Sequence, residues 1–177
     1  RHRRTIYAYR SRGLSDPMLS VFNQPLADSS CELRTASTVT PQALTLFNSQ
    51  NSHQRALAMA IRLNQERPKL SEQIKRGIQL AWGRSAEPNE ISRGTTFVEQ
   101  MTNYHQQHLP TPQATPVSVE RTMFEEMTGE PFTYTETLDV YQHYKPDPKP
   151  WTASAQIRAL ADFCLLLLNA NAFLYVY

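Results

Sequence analysis

Five histidines (His2, His53, His105, His108 and His143) and two cysteines (Cys31 and Cys164) are the residues of this chain best suited to metal or nucleophile chemistry. Of the histidines only His105 and His108 are close enough along one helix to share a metal. That pair borders a Pro-rich stretch in which no Asp, Glu or Cys supplies a third ligand, so it reads as a solvated helix end and no metal site is assigned. Glu125 and Glu126 are adjacent and point in different directions on a helix, unlike carboxylates that converge on one bond. Asp139 and Asp147 stand alone in the sequence. Asp162 differs because it lies inside an apolar helical stretch, where a buried carboxylate needs a partner. Arg34 and Arg158 are the candidates, Arg158 being four residues away on the same helix, and a structural ion pair is expected rather than a catalytic acid.

The sequence holds no Gly-x-Ser-x-Gly, Gly-rich phosphate loop, His-Glu-x-x-His or Cys-x-x-Cys-His, so no catalytic residue is assigned. Cys31 and Cys164 permit one disulfide in an oxidising compartment or two thiols, and their spacing gives no metal or haem signal. Tyr7, Tyr9, Tyr175 and Tyr177 could stack on sugars, although terminal aromatics more often staple chain ends.

The elements that must position these groups read as helices. The 177 residues suit one domain, and the 40% hydrophobic and 19% charged fractions describe a globular chain. A net charge of +2 is too small to imply nucleic acid or an anionic membrane. The most apolar run, Phe163 to Leu168, is far shorter than the ~20 residues a membrane crossing needs. The first residue is Arg1 and no charged-then-apolar leader follows, the expectation for a stretch of a longer precursor.

Thr5 to Tyr9 reads as an extended segment, and Asp16-Pro17 opens a short helix through Val21. Asn23 to Val39 reads as a loop that Cys31, Leu33 and Val39 could anchor. Thr40-Pro41 restarts helix until Asn48-Ser49 interrupts. A longer helix runs from Ser52, with Ala56, Leu57, Ala60 and Ile61 on one stripe, until Pro68. Ser71 can cap the next, which carries Ile74, Ile78, Ala81 and Trp82 and stops at Gly83. Pro88 opens another with Ile91, Val98, Met101 and His105 along one side, weakened slightly by Gly94. Residues 106–151 read as an inserted loop region, with a short helix through Val119, Met123 and Met127 and polyproline-like chain from Lys145 to Pro150. The last helix starts near Ser154 and is apolar around nearly its whole circumference, which belongs in the middle of a bundle. Phe173 to Tyr177 reads as an extended tail. The expected class is all-α: an irregular multi-helix bundle with a short extended N-terminal segment and a long Pro-rich loop, residues 1–177 forming a single domain.

Two stretches carry a resemblance. Ser30-Cys31-Glu32-Leu33-Arg34, leading through Ser37 to Asn48, and the ending Leu167-Leu168-Asn169-Ala170-Asn171-Ala172-Phe173-Leu174-Tyr175-Val176, resemble the planctomycete-type PSD domain, a family of unknown function. Arg4-Thr5-Ile6-Tyr7 and Ala81-Trp82-Gly83-Arg84 add to it. Ala172 stands where that family has Glu in an Asn-x-Asn-Glu-Phe ending. The resemblance implies the closing domain of a large exported protein that also holds a cytochrome-c-like domain and a second helical domain. It implies an extracytoplasmic setting, with any haem bound upstream and no cofactor in this stretch. The partners it implies are the upstream domains of the same chain, packed against a non-catalytic helical module. It also leaves room for part of an extracellular enzyme acting on carbohydrate or sulfated polysaccharide, or for a carbohydrate-binding module. Either would need converging polar groups, for which Arg34, Asn48, Asn169 and Asn171 are the candidate binding residues. The exported setting adds the expectation that Cys31 and Cys164 pair.

Overall fold

The computed structural model describes residues 5–7, 15–25, 31–33, 39–113, 116–138 and 146–175. Arg34, Tyr9, Tyr177, His2, His143 and Asp139 lie outside the described residues.

Helix α1 (Pro17–Val21) starts where Asp16 Oδ1 accepts from the N–H groups of Met18 at 2.8 Å and Leu19 at 3.2 Å, which satisfies two donors the first turn cannot pair. In α2 (Thr40–Asn48), Gln42 accepts from Val39 N–H and donates to Val21 O, tying the helix back to α1. Helix α3 (Gln50–Glu66) begins earlier than Ser52, because Ser49 Oγ accepts from Ser52 N–H and makes Ser49 the cap. Helix α4 (Leu70–Trp82) likewise begins before Ser71, with no side-chain cap, and ends at Gly83. A φ of +69° at Gly83 is open to glycine at no steric cost. Helix α5 (Pro88–Gln107) has Pro88 in its first turn and runs to the edge of the Pro-rich stretch.

The chain then leaves the helical body as a hairpin, β1 (Ser118–Phe124) and β2 (Pro131–Thr137), antiparallel with Ser118 opposite Thr137 and Phe124 opposite Pro131. The expectations of a helix through Val119, Met123 and Met127, and of an all-α class, are corrected here: the fold is mainly helical with one two-stranded sheet. The physical reason lies in the turn and in the lack of anything to pack on. Glu125 accepts from Thr128 N–H with its carboxylate and from Gly129 N–H with its carbonyl, and Gly129 sits at φ +72°. Met127, at the tip, is 92% exposed, so a helical stripe through it would bury nothing. Thr122, Thr133, Tyr134 and Thr135 favour strand instead.

Residues 146–149 adopt neither helix nor strand and Pro150–Thr152 form one 3₁₀ turn. Ser154 Oγ then accepts from Ile157 N–H to open α6 (Ala155–Asn169), which buries Leu160, Phe163, Cys164, Leu165 and Leu167 along most of its girth. It packs along α3 and α5, and α4 closes the bundle. Each buried Leu or Phe contributes roughly 1.5–3 kcal/mol relative to exposure. Gly94 is explained by this packing. A Cβ there would come within 3.1 Å of both Ile74 Cγ2 and Phe163 Cε2, so the small residue lets α4, α5 and α6 approach. Trp82 Nε1–H donates to Leu167 O at 3.2 Å and fastens α4 to the end of α6.

Three peripheral expectations also change. Thr5–Tyr7 is a 3₁₀ turn rather than an extended segment. The tail forms a short helix, α7 (Asn171–Leu174), closed by Tyr175 N–H donating to Asn171 O. Cys31, Leu33 and Val39 are exposed rather than buried as anchors.

Candidate functional site

Of the four polar residues singled out from the sequence, three are described. Asn48 ends α2 beside a shallow groove it shares with Pro41, Leu44, Thr45 and Ser49. Asn169 donates its amide to Leu165 O at 2.8 Å, a local contact at the end of α6. Asn171 is the exposed first residue of α7. Cys31 is exposed, with Sγ 3.4 Å from Leu33 O, while Cys164 is fully buried in the core, and both are free thiols. Burial alone pushes the Cys164 thiol up to about 12, so it is a protonated core group and not a nucleophile.

The polar groups that do converge lie at the opposite end of α6 from Asn169. One turn of α6 presents Arg158, Ala161 and Asp162, and the first two turns of α3 present Gln50, His53, Gln54 and Leu57 at helical spacing. His105 enters from the end of α5, and Lys149 and Trp151 form a rim where the chain returns from the hairpin. These enclose a cleft of about 720 Å³.

Its centre is a contact of 2.6 Å between His105 Nε2 and Asp162 Oδ2. A carboxylate only accepts, so Nε2 carries the proton and, in the neutral imidazole, Nδ1 keeps a lone pair. The expected Asp162–Arg158 pair is therefore corrected: Asp162 pairs with a histidine 57 residues earlier. Arg158 is 8% exposed and donates instead to backbone, Nη1 to Ala153 O at 2.6 Å and Nη2 to His105 O at 2.8 Å. The guanidinium thus staples the end of α5 to the start of α6 and fixes the backbone that carries His105. Helical geometry favoured the i to i+4 contact, but the two carbonyls that accept from Nη1 and Nη2 come together only when the bundle forms, and Nε is left buried with no partner among the described residues.

Two more contacts hold the rim. Arg55 Nη2 donates to Asp147 Oδ1 at 2.8 Å, with the Asp147 side chain only 3% exposed. Lys149 Nζ lies 5.8 Å from the centre of the Trp151 ring. His108 faces elsewhere, stacked on Tyr104 with Nδ1 donating to Tyr104 O at 2.9 Å. Among the described residues no three His, Cys, Asp or Glu side chains cluster as metal ligands, and no described helix is long and apolar enough to cross a membrane.

The arrangement can present hydrogen-bond donors and acceptors beside one indole face, and an imidazole oriented by a carboxylate. The local clues were His105 on the apolar side of α5 and Asp162 in an apolar helix. Nothing in the sequence tied one to the other.

The sequence model of PSD1, described as a protein of unknown function (DUF1553), matches residues 1–98. No curated protein and no solved structure matches the chain. The matched residues include the α3 wall of the cleft, whereas His105, Trp151, Arg158 and Asp162 lie beyond them.

Proposed function

We propose, for a chain that belongs to the PSD1 family of proteins of unknown function, that it is a non-catalytic helical module that packs on the other domains of an exported, cytochrome-c-associated protein. The observation that carries this reading is α2. It has no buried residue, and it leaves two apolar side chains in water, Leu44, 56% exposed, on the shallow groove that ends at Asn48, and Phe47, 39% exposed, three residues further along the helix. Leu46, on its other side, is partly covered. A helix held by one side, with a second apolar strip left in water, is suited to a further packing layer. The partner is the one the resemblance suggests, upstream domains of the same chain in an extracytoplasmic setting, with any haem held in those domains.

The test is a titration of the chain with the upstream region of its precursor, expressed separately and followed by calorimetry. Binding is expected, and replacing Leu44 and Phe47 together by Ser should weaken it by at least about tenfold, with the melting temperature little changed because neither residue is buried. No binding, or binding indifferent to the double change, overturns the reading.

A second reading, part of an extracellular enzyme acting on carbohydrate or sulfated polysaccharide or else a carbohydrate-binding module, is supported by one separate observation. Trp151 stands at the rim of a cleft that also holds His105 and Asp162.

A further inference from the structure

We propose that the cleft between α3 and α6 binds a neutral sugar ring, stacked on Trp151 and hydrogen-bonded through its hydroxyls to Asp162, His105 and Gln54. This rests on the carbohydrate reading above and adds to it a site, a ligand charge and a set of contacts.

The volume of about 720 Å³ lies within the ~300–1,000 Å³ typical of small-molecule sites. Both signs of charge are present, and their outer polar atoms are engaged, the buried Arg158 Nε alone among its guanidinium nitrogens having no partner among the described residues. Arg158 spends Nη1 and Nη2 on Ala153 O and His105 O. Lys149 sits against Trp151, and Asp162 Oδ2 holds His105. An anionic ligand would find the outer nitrogens of Arg158 committed and Asp162 facing it, while a cation would meet Arg158 and Lys149. A neutral ligand avoids both conflicts.

The polar groups left are amides, imidazoles and the second oxygen of Asp162, which together donate and accept in several directions. The ligand they suit has many hydroxyls at its edge. An indole beside them suits an apolar C–H face on the same molecule. A pyranose has both.

The experiment uses the whole chain, ¹⁵N-labelled, and follows the two tryptophan indole N–H signals by NMR. Trp82 serves as the internal control, because its Nε1–H is bound to Leu167 O and Trp82 does not line the cleft. Probes are glucose, galactose, mannose, xylose and fucose with their β-linked disaccharides, and galacturonate and galactose 6-sulfate as the charged arm. At least one neutral probe is expected to move the Trp151 signal and leave that of Trp82 in place. Asp162→Asn should weaken that probe by about tenfold or more, the scale of losing a hydrogen bond to a charged group. Gln54→Ala, a change on a part-exposed wall residue, should weaken it less while keeping the native spectrum, and so guards against an Asp162 variant that misfolds.

Response to the charged sugars alone overturns the neutral assignment. Neutral-sugar binding that survives Trp151→Ala, detected by saturation transfer, overturns the site while leaving the carbohydrate reading standing. No response to any probe overturns both.

Discussion

Helices α3, α4, α5 and α6 and the hairpin β1–β2 spend their side chains in opposite ways. The helices place Leu63, Ile74, Ile78, Val98, Leu160 and Cys164 out of contact with water. The hairpin buries nothing: of its strand residues only Val119 and Glu136 are even partly covered. Its cohesion comes from the backbone ladder and from cross-strand contacts such as the Arg121–Glu136 ion pair, and a lone two-stranded sheet is marginal in water. The excursion between α5 and α6 therefore matters to the body at its two roots rather than at its tip. His105 stands just before it, and Asp147, Lys149 and Trp151 stand where it returns. A peripheral segment with no core of its own can still build a site, provided each root is fastened to the helices.

The two cysteines sharpen this contrast most, because one lies outside the core and the other at its centre. Thiolate is the reactive form, and a thiol pushed up to about 12 leaves only about one part in ten thousand ionised at pH 8. Titration with an aromatic disulfide reagent should show Cys31 reacting at once and Cys164 reacting only when the bundle opens, slower by orders of magnitude. Equal rates would mean that the interior around α6 is accessible. No reaction before a reductant is added would mean that the pair has bridged, and that the buried position of Cys164 is not the one adopted in solution.

Truncations should divide along the same line. Leu63→Ala removes a side chain with no exposure that packs near Gly77, at a cost of about 3 kcal/mol in denaturant unfolding. Phe124→Ala, at the exposed end of β1, should stay within about 0.5 kcal/mol. Similar values for the two would remove the distinction between core and excursion.

This division also governs what could be read in advance. Pro17, Pro41, Pro88, Gly83 and Ser154 mark helix ends by local chemistry, and the ends fall within about two residues of those marks. The burial of α6 was legible in its all-round apolar sequence. The hairpin was not, because a strand exposed on both faces shows no alternation, and the spacing of Val119, Met123 and Met127 happens to imitate a helix. The cleft was legible only in fragments. His105 and Asp162 each looked unusual in place, but their meeting depends on α5 and α6 packing side by side.

The roots themselves can be loosened. Arg55→Ala takes from the buried Asp147 carboxylate its bond to α3, and the expected cost is about 1–2 kcal/mol, between those of the core and the hairpin truncations. The more telling readout is local: the indole signal of Trp151, four residues beyond Asp147, should shift while that of Trp82 stays. Arg55→Lys, which keeps the charge, should restore part of both. A stability loss with no change at Trp151 would detach the rim of the cleft from this ion pair.

The smallest effect is expected where the body needs no excursion at all. Residues 83–87 join α4 to α5 directly, and Arg84 fixes that corner on Glu90, Nη1 lying 2.9 Å from Oε2, while Glu87 N–H donates to the same carboxylate. The Arg84 guanidinium, and after it the Glu87 amide, hold the Glu90 carboxyl down from its ordinary 4.5 to about 2. A carboxylate favoured in the folded state adds stability above its unfolded pKa and gives it up as protons bind. The contribution of Glu90 is thus complete above about pH 4.5 and fades towards pH 2. Glu90→Gln should therefore flatten the acid limb of a stability profile across that window and change little near neutrality beyond the lost ion pair, which solvent and salt already weaken. An acid limb as steep in the variant as in the parent would assign the pH dependence to other carboxylates, Glu66 between Arg62 and Arg76 being the next in line. The corner would then be held by backbone geometry alone, unlike the hairpin tip, where the Glu125 carboxylate accepts from Thr128 N–H.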